Sequence, residues 1–315
     1  MALYLVTGGA GFIGSHLVDS LLAGGHAVRV LDDLSTGKRE NLDPRAELLV
    51  GDAADPALAQ RAMQDAAGCF HLAAVASVAR ANEDWLGTHR SNLTATIAVL
   101  DAARHHGRVP VVYASSAAIY GDQGEGAIAE TAAPRPQSAY GADKLGSELH
   151  AQVGFGVHGV PTMGFRFFNV YGPRQDPKSP YSGVISIFAE AIAAGRGITV
   201  NGDGGQTRDF IYVADIVRFL RAGLDRLVAR PQAGVFNACT GRAVSVLALA
   251  EALGAACGHP PRIAFGPARA GDIRHSLGDP AAAEAALGVT AGTELPDGLR
   301  HTVASLAGAL HPLVA

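Results

Sequence analysis

The 315-residue sequence predicts an α/β fold, a doubly wound parallel sheet followed by a smaller C-terminal α/β substrate domain. Three observations carry the prediction. Short apolar runs alternate with helix-length segments through the first half of the chain, the pattern of βαβ units. A glycine-rich turn, Gly8 to Gly14, directly follows the first apolar run. After Tyr171 the texture changes to a loop rich in proline and charge, Gly172-Pro173-Arg174-Gln175-Asp176-Pro177-Lys178-Ser179-Pro180.

Leu3-Tyr4-Leu5-Val6, ending in Thr7-Gly8-Gly9, reads as a buried strand. A helix follows from Phe12 to Leu22, stopped by Gly24-Gly25. Ala27–Leu31 is the next strand, then a strand at Glu47–Val50, a helix at Pro56–Gln64 and a strand at Gly68–Leu72. Asn92–Arg104 is helical, Val109–Ala114 is a further strand, and Tyr140 begins a helix after Pro134-Arg135-Pro136. Residues 1–172 form the first domain, with a return of the chain to it near 207–240, where Val235–Ala238 reads as a strand. Residues 173–315 form the second, with helices at Val184–Ala194 and Val246–Cys257.

Composition narrows the function classes. Hydrophobic residues make up 48% and charged residues 17%, too apolar for a disordered chain. The net charge of −4 provides no basic field, so neither nucleic acid nor a membrane surface is an expected partner. Cys69, Cys239 and Cys257 are widely spaced and form no CxxC, and the twelve histidines show no HExxH, so no metal is expected. His105-His106 reads as a solvated helix end. No apolar run reaches ~18 residues and no signal-peptide core stands at the N-terminus, which makes a cytoplasmic location the expectation.

Gly9-Ala10-Gly11-Phe12-Ile13-Gly14 is a literal GxGxxG, and Gly8, Gly11 and Gly14 also give GxxGxxG. Either match is weak alone. Between a strand and a helix it acquires a mechanism: glycines admit a pyrophosphate, whose charge meets the free N–H groups of a helix N-terminus. That is the dinucleotide site of a Rossmann-type sheet. Asp32 ends the second strand at the ~20-residue offset of a ribose ligand and repels a 2′-phosphate. NAD is favoured over NADP, with Lys38 and Arg39 the nearby cations that argue the other way.

Tyr140 and Lys144 stand at i and i+4, on one helix face. For seven tyrosines and three lysines placed independently, such a pair arises by chance only about 0.07 times. An ammonium favours phenolate, so Lys144 should lower the Tyr140 pKa and make the tyrosine a general base. Ser115 and Ser116 end the strand Val111-Val112-Tyr113-Ala114, at the sheet edge where ligands bind.

With these elements in place, the chain resembles the extended short-chain dehydrogenase/reductases of the NAD-dependent epimerase/dehydratase family, on the branch of the nucleotide-sugar 4-epimerases related to UDP-galactose 4-epimerase. The resemblance runs through Thr7 to Gly14, Gly51-Asp52, His71-Leu72-Ala73-Ala74, Ser116, Tyr140-x3-Lys144 and Arg166-Phe167-Phe168-Asn169-Val170-Tyr171-Gly172. It continues through Gly202-Asp203-Gly204, Arg208-Asp209-Phe210 and Arg269-Ala270-Gly271-Asp272. Four departures stand out: Ala139 before the tyrosine, Asp143 before the lysine, no glycine in Asn92-Leu93-Thr94-Ala95-Thr96, and Val289 after Leu287-Gly288. Asp143 adjoins Lys144 and should point off its face.

The resemblance implies Ser116, Tyr140 and Lys144 as the catalytic set. It implies NAD held by Gly8, Gly11, Phe12, Ile13, Gly14, Asp32, Asp33, Leu34, Ser35, Thr36 and Gly37. Asp52 and Ala53 would meet the adenine; Leu72, Ala73, Ala74, Phe168, Tyr140 and Lys144 would border the nicotinamide side. Asn169, Arg208, Arg269 and Asp272 would hold the UDP diphosphate and sugar beside Ser116, with Thr199 and Asn201 flanking the uracil. Tyr140 would take the 4-hydroxyl proton as the C4 hydride passes to NAD, and the 4-keto sugar would turn over and be reduced on its other face.

Absences discriminate among relatives. The family's 4,6-dehydratases place Thr-Asp-Glu where this chain has Ser116-Ala117-Ala118, and its decarboxylases usually carry a glutamate there. Family members restricted to UDP-glucose and UDP-galactose have a bulky tyrosine at the position of Ser276, so a small serine points to UDP-GlcNAc and UDP-GalNAc, with the non-acetylated pair alongside. Asp-Ile-Arg-His-Ser at 272–276 and Asp-Pro-x-Ser-Pro-Tyr-Ser at 176–182 resemble epimerases of surface-polysaccharide synthesis. Competing readings are a UDP-glucose or UDP-glucuronate 4-epimerase and a non-catalytic NAD sensor on the same fold. The resemblance also implies a homodimer through the helices near Asn92–Arg104 and Tyr140–Val153.

Overall fold

The computed structural model describes residues 1–177, 183–268 and 273–310. Arg269 and Asp272, and most of the Asp-Pro-x-Ser-Pro-Tyr-Ser segment, lie outside the described residues.

The strands are β1 (Leu3–Thr7), β2 (Ala27–Asp32), β3 (Glu47–Val50), β4 (Gly68–His71), β5 (Val111–Ser116), β6 (Thr162–Phe167), β7 (Asn169–Tyr171), β8 (Ile198–Asn201), β9 (Thr207–Tyr212), β10 (Ala233–Ala238), β11 (Ala243–Ser245), β12 (Ile263–Gly266) and β13 (His275–Ser276). The helices are α1 (Phe12–Ala23), α2 (Pro56–Met63), α3 (Val78–Glu83), α4 (Trp85–His89), α5 (Ala95–His105), α6 (Ala139–His158), α7 (Val184–Ala193), α8 (Val213–Ala229), α9 (Val246–Cys257), α10 (Ala281–Leu287) and α11 (Leu295–Leu310).

The main sheet has the order β10-β6-β5-β4-β1-β2-β3, and every pairing in it is parallel. The order reverses between β1 and β4, so the loops leaving those two strands open a crevice at the sheet's C-terminal edge. On one face α1 and α8 bury Leu17, Val18, Leu21, Ile216, Phe219 and Leu220 against Val6, Val30, Phe70 and Phe165. On the other, α2, α5 and α6 bury Met63, Val99, Ala102 and Ala151 against Leu5, Leu31 and Val111. Fully buried strands explain the near-continuous apolar runs read from the sequence.

Strand β7 leaves the sheet at once and pairs with β9, and β11 and β13 flank β9 in a small separate sheet. The β8–β12 pair and helices α7, α9 and α11 complete the smaller body around Ile185, Phe188, Leu249, Leu253 and Leu299.

Two elements differ from the sequence reading. The helix expected to begin at Asn92 is preceded by α3, α4 and a π turn over Arg90–Thr94. Asn92, buried in that turn, accepts from Val75 N (2.8 Å) and donates to Val75 O (3.3 Å), anchoring the loop after β4. Strand β5 begins at Val111 rather than Val109, because Val109 N closes the end of α5 on Ala103 O and Arg108 has a φ of 63°.

Candidate active site

Strand β1 delivers Gly8 into the crevice with a φ of 69°, and an added Cβ there would lie 2.7 Å from the Ala73 amide nitrogen. A Cβ on Gly14 would overlap the Gly8 carbonyl, so α1 rests directly on the turn. Gly11 caps α1 without a side-chain bond, and the first turn carries no acidic residue. The N–H groups of Phe12 and Ile13 therefore open an uncompensated positive helix end onto the crevice. A pyrophosphate fits that cradle by charge and by clearance.

Asp32 fastens the turn to β2: Oδ2 accepts from Ala10 N and Oδ1 from Leu34 N, each at 2.9 Å. Burial pushes its carboxyl up from the ordinary value, against those two amides. Each oxygen keeps a lone pair for a ribose hydroxyl. Asp33 accepts from Ser35 N, Leu34 takes a φ of 58°, Thr36 is exposed, and Gly37 lies against the Asp32 carboxylate. Lys38 is turned away to an ion pair with Asp176 at 2.9 Å, which removes one cation a 2′-phosphate would need.

After β3, Asp52 accepts from Ala54 N and from Arg90 Nε (3.0 Å), and Ala53 is buried. After β4, Leu72 N bonds Thr7 O and Ala73 N bonds Thr7 Oγ1, which sets half-buried Leu72, Ala73 and Ala74 beside Gly8. The described residues fit NAD along the whole sheet edge, from β3 to β5.

The catalytic candidates converge at the end of β5. Ser138 caps α6 through Gly141 N (3.1 Å), which places Tyr140 in the first turn and Lys144 in the second. Lys144 Nζ lies 5.9 Å from the Tyr140 ring centroid and donates to Ala114 O at 2.9 Å. Ser116 lies beside the Tyr140 phenol, where it acts to lower the phenol's pKa, and its Oγ accepts from Ala118 N. Ser115 turns the other way, to Glu148. Burial lowers the Lys144 ammonium to about 8.

Tyr140 corrects one expectation. Its pKa is raised, because burial outweighs the Ser116 hydrogen bond. The expected lowering by Lys144 does not emerge from the polypeptide alone.

The remaining described candidates fall in three places. Ser276 on β13 is the register partner of Arg208 on β9, and Asn169 on β7 is the partner of Phe210 on the same strand. Thr199 is exposed on β8, and Asn201 O accepts from Gln206 Nε2 (3.1 Å) on the separate β8–β12 pair. Phe168 is only 5% exposed, packed with Tyr120 and Cys239.

Two residues quoted in the sequence motifs without a role acquire one here. His71 spans Thr7 Oγ1 (2.7 Å) and Thr96 Oγ1 (3.1 Å) beneath the cofactor crevice. Arg166 meets Glu148 bidentately at 2.9 and 2.8 Å and reaches the Tyr120 hydroxyl at 2.8 Å, joining β6, α6 and the turn after β5. In the sequence both stand within the motifs of the family resemblance and inside apolar strands, which marks their positions but not their partners. Among the described residues no cluster of His, Cys, Asp or Glu is placed to hold a metal, and no helix is long and apolar enough to cross a membrane.

The comparisons agree with this geometry. Residues 4–239 match the NAD dependent epimerase/dehydratase family. A UDP-glucose 4-epimerase of Mycolicibacterium smegmatis is 38% identical over 309 residues, 95% of this chain and 96% of that one. The UDP-N-acetylglucosamine 4-epimerase of Methanobrevibacter ruminantium, in complex with UDP-N-acetylmuramic acid, has a TM-score of 0.92 at 32% identity, covering 98% of this chain and 99% of that one. The Thermus thermophilus UDP-glucose 4-epimerase, in complex with NAD, has a TM-score of 0.89 at 37% identity, again covering 98% and 99%. The chain belongs to the NAD dependent epimerase/dehydratase family, resembles its UDP-sugar 4-epimerases, and takes NAD as its cofactor.

Proposed function

We propose that the protein epimerises UDP-sugars at C4, interconverting UDP-GlcNAc and UDP-GalNAc with UDP-glucose and UDP-galactose alongside. The observation that carries the reading is the Ser116–Tyr140–Lys144 constellation, built where the dinucleotide crevice ends. NAD, when bound, supplies the acceptor for the C4 hydrogen, returns it to the opposite face, and adds positive charge beside Tyr140. Tyr140, with Ser116 beside it, takes the 4-hydroxyl proton and gives it back when the ketone is reduced. Lys144, charged, favours the phenolate form of Tyr140. Ala117 and Ala118 offer no carboxylate at the strand end, so no acid–base pair is present there to eliminate water.

Ser276 supports the N-acetyl preference. It lies beside Arg208, the cation proposed to hold the diphosphate, and its small side chain leaves room for a 2-substituent. Incubating the protein separately with UDP-GlcNAc and UDP-glucose, followed by proton NMR of the anomeric region, tests this. Conversion of UDP-GlcNAc is expected, and Ser276→Tyr should depress it at least about 10-fold more than conversion of UDP-glucose. Turnover of UDP-glucose alone, or equal loss on both substrates, would remove the specificity argument. The chain is also proposed to form a homodimer, supported by exposed Ile97 on α5 and by Leu149, Val153 and Val157 in line on α6.

A further inference from the structure

The proton transfer described above leaves the buried carboxyl next to Lys144 without a role. Asp143 precedes Lys144 on α6 and is 5% exposed. Its Oδ1 accepts from Nδ1 of half-exposed His89, at the end of α4, at 2.8 Å. Its Oδ2 is buried with no hydrogen-bond partner. A carboxylate oxygen withdrawn from water and left unpaired is costly, so the His89 contact alone gives a poor reason for a charge at this position.

The adjoining group does give one. Lys144 is 4% exposed, and its Nζ donates to a neutral carbonyl, Ala114 O, rather than to a carboxylate. The cations on the elements packed against α6 are committed elsewhere: Arg80 to Asp84, Arg90 to Asp52, Arg104 and His105 to Asp101, and Arg166 to Glu148. Those same contacts occupy Glu148 and Asp101, while Glu83 is exposed on α3. Tyr113 and Tyr140 are held protonated by burial, and His71, which feels the Lys144 charge, is held neutral by burial. Among the described residues of these elements, Asp143 is the carboxylate that remains to balance a buried ammonium.

We propose that Asp143, held in place by His89, is a positioning residue whose buried charge keeps Lys144 an ammonium in the active site. Burial drives the Lys144 ammonium down, and the Asp143 carboxylate acts in the opposite direction. The two side chains leave α6 in different directions, so the charge supports Lys144 without occupying the Nζ that faces Tyr140. The inference rests on Lys144 assisting Tyr140 as proposed above.

The test follows the ionisation of Lys144 itself. The chain has three lysines, Lys38, Lys144 and Lys178, so a protein labelled with ¹³C at lysine Cε gives three side-chain signals, and Lys144→Met assigns the one of interest. In Asp143→Asn the Lys144 signal should titrate about one pH unit lower than in the parent, and in Asp143→Glu it should stay near the parent value. Should the Asn variant fail to fold, Asp143→Ser carries the same expectation. The alkaline limb of kcat should move down by the same interval, with KM for the UDP-sugar unchanged. A folded neutral variant whose Lys144 titrates with the parent, whatever its Tm, would overturn the proposal. Absence of epimerase turnover in the parent protein would instead remove the functional reading, and the NMR titration would still decide the charge relation.

Discussion

His71 lies at 4% exposure between Thr7 and Thr96, with both ring nitrogens engaged. Burial, reinforced by the Lys144 charge, pushes the imidazole down to about 3. The unfolded chain protonates this histidine near its ordinary value, so the depressed native pKa fixes a direction. The stability it confers is complete above about pH 6.5 and drains away toward pH 3, by up to ~1.4 kcal/mol per unit. Denaturation midpoints at roughly pH 7.5 and pH 5 should therefore diverge more in the parent than in His71→Asn, although the variant starts lower. Equal pH dependence in the two proteins would remove His71 as a source of acid sensitivity. What was legible at this scale was local: the glycine turn and Tyr140 with Lys144 each lie within a few residues. The His89–Asp143 contact joins positions 54 apart and Arg166–Glu148 positions 18 apart, and only folding brings them together.

At the scale of elements, α5 and α6 present an apolar stripe that is exposed among the described residues. Leu149, Val153 and Val157 recur every fourth residue at 57%, 52% and 70% exposure, and Ile97 on α5 is 40% exposed. Spacing of that kind makes one helix face. Sedimentation should report a dimer, and Leu149→Arg with Val153→Arg should yield a monomer that still binds NAD. A parent protein that sediments as a monomer would contradict the dimer. Most strands and helices of the sheet were readable, because alternation of buried strands with helices is written in the apolar pattern. The π turn at Arg90–Thr94 was not, since it is set by Asn92 reaching Val75 rather than by periodicity. The strand at Ala233–Ala238 was legible as a return to the sheet, being apolar and short.

Across the whole molecule, the segment that follows β7 is tied back onto the dinucleotide body. His16 bonds Pro173 O (2.9 Å), Arg174 pairs with Asp19 (2.7 Å) and Lys38 with Asp176 (2.9 Å). Those contacts sit on α1 and on the loop after β2, the same elements whose residues fit the cofactor. These three contacts pin the segment at 173–176 onto the dinucleotide body. The central claim is that Tyr140 works at C4 and that hydrogen leaves and returns there without reaching solvent. The most direct measurement uses a UDP-sugar carrying deuterium at C4, incubated in ordinary water with the parent protein and with Tyr140→Phe. The parent should form the C4 epimer with deuterium retained, and the variant, supplied with NAD, should be slower by about 10²–10⁴-fold. Loss of the label to solvent, or undiminished turnover by Tyr140→Phe, would contradict the account.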